Sequence, residues 1–500
     1  MRPEMSKAFA ASKLKSHPLM GTWSIAGAKE EYLGFLYLAG DELNLTIYLT
    51  IAPETPAEII ARTDPRLLPF APPNQPTIHG QTKHGRVTLF ACAQMNSQAA
   101  ARFIPPQAQI ELTLRPMQAW IGGDFVKAEG PYQELRLEIP GLHNILATLH
   151  IDHHFLVETK GRRKSPTHKL KKLTGANEAY LVYELTRPQA KVSRGGKSYT
   201  VHFVSQVLQS SSSTEGIAIK TSDLVIVRSE GAGLIELLDV ASEVERFLCL
   251  LCIGPVRGEH LAFKLNESKS AERLAAFGRP LEPTAFDLLP HQTLVPLGAR
   301  PDLARKALQK WFAGNEATRI ARWLIAQALF ARASSTARFL SVAQAWEIMG
   351  REESKTAPYD KKKFSEVCKE IDKLITAELG EDAAERLISL ISSSNRDSFP
   401  ALIQNIIKEI PKVALDKICG DLTQFVAATK DVRNVLTHME GKRKMPLDIA
   451  DRLSMFLTFK LLVLFCIHSC VALGLPLDNL QMMLDSNPMA RWASRPLPGV

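Results

Sequence analysis

The periodicity of apolar residues changes near Pro301, and this change constrains the fold more than any other feature of the chain. Before it, apolar and polar residues alternate in short runs, which is typical of half-buried strands. After it, apolar residues recur every three or four positions, which is typical of amphipathic helices. A chain of 500 residues is also too long for a single core. We therefore predict a multidomain α+β protein, with a β-rich N-terminal region followed by an all-helical bundle.

The part before Pro301 divides into two units. Alternating runs predict strands at Leu43–Ile51, Ile110–Leu114 and Leu135–Ile139, for which a meander or a sandwich fits. The following unit combines strands with one amphipathic helix and is predicted as a second α+β region; its elements are strands at Tyr180–Leu185 and Tyr199–Val204 and the helix Gly233–Cys252. We place the domains at residues 1–155, 156–295 and 296–490.

The third region is predicted to be helical throughout, with short connections between antiparallel neighbours. The predicted helices are Asp302–Phe312, Glu316–Arg332, Ser335–Arg351, Asp360–Leu379, Ala383–Ser392, Phe399–Ile410, Val413–Ala428 and Leu447–Leu473. The apolar stretch Leu453–Leu475 is interrupted by Lys460 and His468, and it favours a buried core helix over a membrane span. We expect a soluble, cytoplasmic protein with no membrane partner.

Composition narrows the class of function. The net charge of +9 favours an acidic partner such as nucleic acid, although the excess is shared almost evenly by the two parts of the chain. Seven cysteines without paired spacings indicate buried thiols, and Cys249 with Cys252 has no second ligand pair nearby for zinc. His150, His153 and His154 are better explained as a polar strand end. No phosphate-binding glycine motif occurs, so we predict neither a metal nor another cofactor.

One pair of residues suggests chemistry. Arg433 and His438 lie five positions apart, about 140° around an ideal helix, so they act together only at a helix end or a distortion. Cleavage of RNA by its own 2′-OH needs a proton acceptor or donor near neutral pH and a cation on the phosphorane oxygens. Histidine supplies the first and arginine the second, without a metal. The spacing alone is weak, because Arg163 and His168 repeat it in a basic loop.

The surrounding residues resemble a known family. Asp431-Val432-Arg433-Asn434 and His438, followed by an apolar helix, resemble the Arg-x(4–6)-His motif of HEPN ribonucleases. The segment from Phe339 to Glu347 resembles the first core helix of the ApeA-like branch. Gly21-Thr22-Trp23, Tyr32–Leu36 and the stretch from Ile78 to Leu89 resemble the N-terminal domain that accompanies ApeA-like HEPN domains.

This resemblance implies a bacterial anti-phage ribonuclease that acts in abortive infection. Its catalytic residues would be Arg433, His438, Asn434 and Glu347, and Lys442, Arg443 and Lys444 would hold RNA phosphates. The implied partners are RNA (tRNA or another structured cellular RNA), further copies of the chain in a homodimer or higher oligomer, and a phage-derived trigger sensed by the N-terminal region. A solvated turn remains the alternative for residues 442–444, and a surface ion pair for Glu347. A non-catalytic HEPN module for RNA binding or oligomerisation remains the alternative for the whole chain.

Overall fold

In a computed structural model, the chain is described from residue 18 to residue 498. The description leaves out residues 40–41, 52–75, 104–105, 117, 128–129, 140, 143–168, 176–177, 213–215, 257, 259, 267–268, 277–291, 296, 298–300, 331–333, 354–358, 394–396 and 438–444. Within the described residues, all strands and one helix lie before Pro301, and only helices follow it. The predicted α+β fold class, with a β-rich N-terminal region and a helical C-terminal region, is confirmed.

In the described ranges, fifteen strands form one antiparallel sheet. They are β1 (Leu19–Ile25), β2 (Tyr32–Ala39), β3 (Glu42–Ile51), β4 (Ile78–Thr82), β5 (Gly85–Phe90), β6 (Ala93–Phe103), β7 (Pro106–Arg115), β8 (Gln118–Gly122), β9 (Tyr132–Glu138), β10 (Lys169–Gly175), β11 (Glu178–Arg194), β12 (Lys197–Ser212), β13 (Gly216–Ala232), β14 (His260–Asn266) and β15 (Lys269–Ala276). Their spatial order is β10-β11-β12-β13-β9-β14-β15-β8-β5-β4-β1-β2-β3-β7-β6. Runs such as β1-β2-β3 and β10-β11-β12-β13 follow the chain, as a meander predicts.

The sheet continues across the boundary predicted at residue 155. Strand β9 lies before this boundary in the chain, yet it pairs with β13 on one side and with β14 on the other. The strands on the two sides of residue 155 therefore share one hydrogen-bonded sheet. The position of the domain boundary itself stays a prediction.

The glycines of the N-terminal motif make room for a buried tryptophan. Trp23 on β1 is fully buried and stands opposite Gly80 of β4 in the strand register. A Cβ at position 80 would come within 2.3 Å of the Trp23 ring, so only glycine fits there. The Trp23 ring thus packs on the backbone of β4 at Gly80, where β4 pairs with β1. This packing gives a structural reason for the tryptophan and the glycine in the two N-terminal motifs.

The helices largely follow their predicted positions. They are α1 (Leu234–Cys252), α2 (Pro301–Phe312), α3 (Glu316–Phe330), α4 (Ser335–Glu353), α5 (Lys361–Leu379), α6 (Glu381–Ser393), α7 (Phe399–Ile407), α8 (Lys412–Ile418), α9 (Leu422–Thr437), α10 (Leu447–Leu473), α11 (Leu480–Ser486) and α12 (Pro488–Ala493). The short helices α11 and α12 were not predicted.

One predicted helix is wrong in its extent. The chain does not form a single helix over Val413–Ala428; α8 ends at Ile418 and α9 begins at Leu422. Gly420 breaks the helix with a left-handed φ of +67°, and the Asp421 carboxylate accepts a hydrogen bond from the backbone N–H of Gln424 to start α9. The new start lets α9 continue to Thr437, so that Arg433 lies inside a helix and not in the connection after it.

Two apolar clusters make up the core. The smaller one lies between strands of the N-terminal region and includes Trp23. The larger one runs without interruption from the sheet into the helices, and it includes Val225 of β13, Leu248 of α1, Trp311 of α2 and Leu461 of α10. Sheet and helical region are therefore packed through a shared core.

Helix α10 is the central element of the helical region and packs against α4, α9 and α12. It is long and apolar enough to cross a membrane, and among the described helices no other passes that test, but most of its residues are buried inside the protein. Lys460 in its middle donates hydrogen bonds to the backbone carbonyls of Ile418, Ala493 and Arg495. The prediction of a buried core helix is thus confirmed.

Candidate active site

Helix α4 places Glu347 at the rim of the helical core. The preceding residue, Trp346, is fully buried, and its indole Nε1 donates a hydrogen bond to the carbonyl of Leu461 on α10 at 3.1 Å. Because Trp346 anchors this turn of α4 in the core, the carboxylate of the next residue projects from the adjacent face of the helix. It meets α9 there.

Helix α9 supplies Arg433 from its last two turns. Val432, Val435 and Leu436 are buried, so Arg433 stands at the edge of the buried stripe, with 26% of its side chain exposed. Its guanidinium lies over the ring of Phe399, the first residue of α7, at 4.9 Å from the ring centroid. The Phe399 ring thus forms a cation–π contact with the Arg433 guanidinium.

Glu347 binds two guanidinium groups at once. Its Oε2 accepts a hydrogen bond from Arg433 Nη2 at 2.7 Å, and its Oε1 accepts one from Arg351 Nη2 at 2.5 Å. The three side chains together carry a charge of +1. Arg351 is the more accessible of the two arginines, with 53% of its side chain exposed against 26% for Arg433. The cluster can therefore accept one further anion from solvent, and a phosphodiester has the required single charge.

Three helices that are separated in the chain converge on this cluster. Gly350 on α4 lies so close to α7 that a Cβ there would come within 2.6 Å of the Leu402 Cβ. This close approach brings the start of α7, and with it Phe399, against the Arg433–Glu347 pair. We call Arg433, Glu347, Arg351 and Phe399 the α4–α7–α9 site.

The structure brings together some of the predicted residues and leaves others outside its description. Arg433 and Glu347 are in direct contact, and Asn434 is half-buried next to Arg433 on α9. His438, Lys442, Arg443 and Lys444 lie outside the described residues, as do His150, His153 and His154 and the Arg163/His168 repeat. Helix α9 is described as far as Thr437, and His438 is the next residue in the chain.

Two members of the site were not found by sequence reasoning. Arg351 follows Glu347 by four positions, so helical spacing alone could have identified it as a partner. Phe399 lies at a helix start far from both arginines in the chain, and no sequence pattern marks it as the platform under Arg433.

Potential metal ligands and cysteine thiols were both predicted to have no role in the site. Within the described part of the chain, no group of three or more His, Cys, Asp or Glu side chains could hold a metal ion. All seven cysteines are described, and they are buried thiols, as predicted. Burial raises the pKa of the Cys252 and Cys466 thiols well above the ordinary value, so both stay protonated and unreactive.

Comparison with known families gives two matches along the chain. Residues 18–311 match the family model of ApeA N-terminal domain 1, and residues 340–478 match that of the Apea-like HEPN domain. The second match contains Glu347, Arg351, Phe399, Arg433 and His438. No curated protein and no solved structure matches the chain.

Proposed function

Since the chain belongs to the ApeA-like HEPN family of anti-phage proteins, we propose that it is a metal-independent endoribonuclease that cleaves RNA during infection. The observation that carries the proposal is the position of Arg433. Its guanidinium contacts Glu347 and Phe399 near the last described residue of α9, Thr437, and the histidine of the family motif is the next residue in the sequence.

The reaction we propose is an internal transesterification. A ribose 2′-OH loses its proton to a base and attacks the adjacent phosphorus, forming the P–O2′ bond. The P–O5′ bond breaks, and an acid returns a proton to the leaving 5′ oxygen. The products are a 2′,3′-cyclic phosphate and a 5′-hydroxyl, and no oxidant, reductant or metal enters the balance.

Each motif residue has a defined task in this scheme. His438 exchanges the proton, because histidine is the side chain whose charge ordinarily changes near neutral pH. Arg433 stabilises the extra negative charge on the phosphorane, which exists only in the transition state. Asn434 contributes a neutral donor beside it, and Lys442, Arg443 and Lys444 hold flanking phosphates. HEPN domains commonly dimerise, and two copies of the motif would provide both the acid and the base.

The N-terminal region would then sense infection or restrain the nuclease. The shared core supports this coupling, because the larger apolar cluster passes from β13 through α1 into α2 and α10. A change in the sheet on binding a phage-derived trigger has a continuous packed path to the helices.

The Arg433–Glu347 ion pair also favours one other function. If this pair serves only to join α9 to α4, the helical region is a binding or oligomerisation module without catalysis. The two functions differ in what happens to RNA when Arg433 or His438 is changed while the fold is kept.

The test is protection of bacteria against phage. We expect cells with the wild-type chain to survive infection as a population and to show cleaved RNA after infection, and cells with Arg433→Ala or His438→Ala to lose both effects. Arg305→Ala is the matched control, since Arg305 is an exposed arginine of α2 that pairs with Asp302 away from the site. Full protection by a well-folded Arg433→Ala variant would favour the binding module.

A further inference from the structure

Helices α5 and α6 form a hairpin that stands apart from the rest of the helical region. Within the described residues, each packs mainly against the other, and Cys368 of α5 and Ala384 of α6 are buried. The hairpin leaves the body after α4 and returns to it before α7. Its two roots therefore lie next to the α4–α7–α9 site, while its tip at Gly380 lies away from it.

Among the described residues, the hairpin carries an apolar stripe that no other element covers. Val367 and Leu374 of α5 are 48% and 67% exposed, and Ile371 lies half-buried between them. Positions 367, 371 and 374 follow the i, i+4, i+7 spacing of a single helix face. Leu387 of α6 and Leu379 near the tip are further exposed apolar residues of the hairpin. Single exposed apolar residues are ordinary, but a periodic row on a projecting hairpin is typical of an interface.

Charge is distributed unevenly along the same hairpin. Lys362 and Lys363 are exposed at its root, next to Asp360, whose carboxylate is engaged in capping α5 through the backbone N–H of Lys363. The tip is acidic, and its exposed carboxylates are Glu378, Glu381, Asp382 and Glu385. A partner that fits this surface must be apolar in the middle, acidic at one end and basic at the other.

A second copy of the same hairpin has these properties when it packs in the opposite direction. We propose that the α5–α6 hairpin is an interface between two copies of this chain, related by a twofold axis across the stripe of Val367, Ile371 and Leu374. In this arrangement the acidic tip of each hairpin lies against the basic root of the other, and the two apolar stripes cover each other. Such a contact is self-complementary, as a twofold interface requires.

The contact is distinct from a cleft shared by two Arg433 sites. Helix α5 has 19 residues, so antiparallel packing separates the two roots by roughly 28 Å. The α4–α7–α9 sites at those roots are then apart. A chain that also dimerised at its Arg433 face would use two twofold interfaces and build an assembly larger than a dimer. The inference does not depend on RNA cleavage.

The first test is the molar mass of the purified full chain in solution, measured by sedimentation or by light scattering after size-exclusion chromatography. We expect the wild type to exceed the mass of one chain and Leu374→Glu to halve the wild-type value. Ile235→Glu is the matched control, because Ile235 is a similarly exposed apolar residue of α1, and it should leave the mass unchanged. A wild type with the mass of one chain, or a Leu374→Glu variant with the wild-type mass, overturns the proposal.

A charge exchange tests the antiparallel direction. The variant Lys362→Glu/Lys363→Glu is acidic at both ends of the hairpin, and the variant Glu381→Lys/Glu385→Lys is basic at both ends, so each alone should associate less than the wild type. Mixing the two should restore the wild-type mass, since each acidic end then meets a basic end. If the two variants stay dissociated when they are mixed, the antiparallel interface is wrong.

Discussion

Glu347 decides the charge at the α4–α7–α9 site, because one carboxylate faces two guanidinium groups. Its Oε2 contacts Arg433, which is packed on Phe399, while its Oε1 contacts the more exposed Arg351. Because Arg433 is packed, it is better placed to contact a defined atom of a substrate. Because Arg351 is exposed, it is better placed to attract the phosphates of that substrate. We therefore expect different roles for Arg433 and Arg351, although both bind Glu347.

Replacing Glu347 with Gln tests the positioning role. The amide keeps the size of the side chain but removes the charge that orients Arg433, so kcat should fall by about 10- to 100-fold. Binding of a non-cleavable RNA with 2′-O-methyl groups should become tighter, because the site then carries a charge of +2. An unchanged kcat would show that the ion pair does not orient Arg433.

Replacing Arg351 with Ala tests the phosphate-binding role. We expect KM to rise with kcat nearly unchanged, and the slope of log KM against log salt concentration to become shallower by about 1, as for the loss of one phosphate contact. Steady-state kinetics at several salt concentrations measure both effects, with Arg305→Ala as the control. A KM and a salt slope that stay as in the wild type would remove Arg351 from this role.

At the scale of elements, the crossing of α4 and α7 depends on Gly350. Gly→Ala inside a helix usually stabilises by about 1 kcal/mol, but here the added Cβ would lie 2.6 Å from the Leu402 Cβ. Gly350→Ala should instead destabilise by about 1–3 kcal/mol, because the helices must move apart. Denaturant unfolding measures this, and Gly123→Ala, whose Cβ would meet nothing within 4 Å, is the control. A stabilised Gly350→Ala variant would contradict the close approach.

Lys460 of α10 is predicted to make the free energy of unfolding depend on pH. Burial lowers the pKa of Lys460 from 10.5 to about 8 in the folded chain. Between about pH 8 and 10 the unfolded chain therefore binds a proton that the folded chain has released, so this group makes stability rise with pH, by at most about 1.4 kcal/mol per pH unit. The pKa of the neighbouring Cys419 thiol is raised to about 12, so that thiol stays neutral in this window.

The variant Lys460→Met lacks this proton. The free energy of unfolding of the wild type minus that of the variant should therefore increase from pH 7 to pH 10, as measured by denaturant unfolding at each pH. Taking the difference cancels the titration of groups that the two chains share. A difference that stays constant or decreases would show that Lys460 keeps an ordinary pKa in the folded chain.

The same elements show what the sequence could and could not predict. Alternation and helical spacing depend on which side of an element is buried, so they predicted strand β3 and located helix α10 at Leu447–Leu473. The break at Gly420 was missed, because the apolar period continues across it and only the left-handed φ and the Asp421 cap end one helix and begin the next. The place of β9 between β13 and β14 depends on pairing between distant strands, which no local pattern encodes.

The site itself was predictable only in part. Resemblance to the family identified Arg433 and Glu347, but their contact joins residues 86 positions apart and follows from how α4 and α9 pack on α10. For the same reason Phe399 could not be predicted.

At the scale of the whole molecule, the helical region depends on the sheet side of the chain. Trp311 of α2 donates a hydrogen bond from its Nε1 to Glu243 of α1, and the buried Asn487 before α12 donates to the carbonyls of Cys252 and Gln292. Removal of residues 1–300 would expose the helix faces that these contacts and the shared apolar cluster now cover.

We therefore expect a fragment of residues 301–500 to be aggregated or to lack a cooperative thermal transition, whereas the full chain unfolds cooperatively. Circular dichroism during heating, with the full chain as the control, measures this. A fragment that melts cooperatively near the Tm of the full chain would show that the helical region folds by itself and that the shared core contributes little.

We propose that this chain cuts RNA with Arg433 and His438 and without a metal. The most direct measurement is incubation of total bacterial RNA with purified wild type and with His438→Ala, both in EDTA and both from infected cells, followed by analysis of the new RNA ends. We predict cleavage by the wild type alone, with 2′,3′-cyclic phosphate ends. Intact RNA with both proteins, or equal cleavage by both, would contradict the claim.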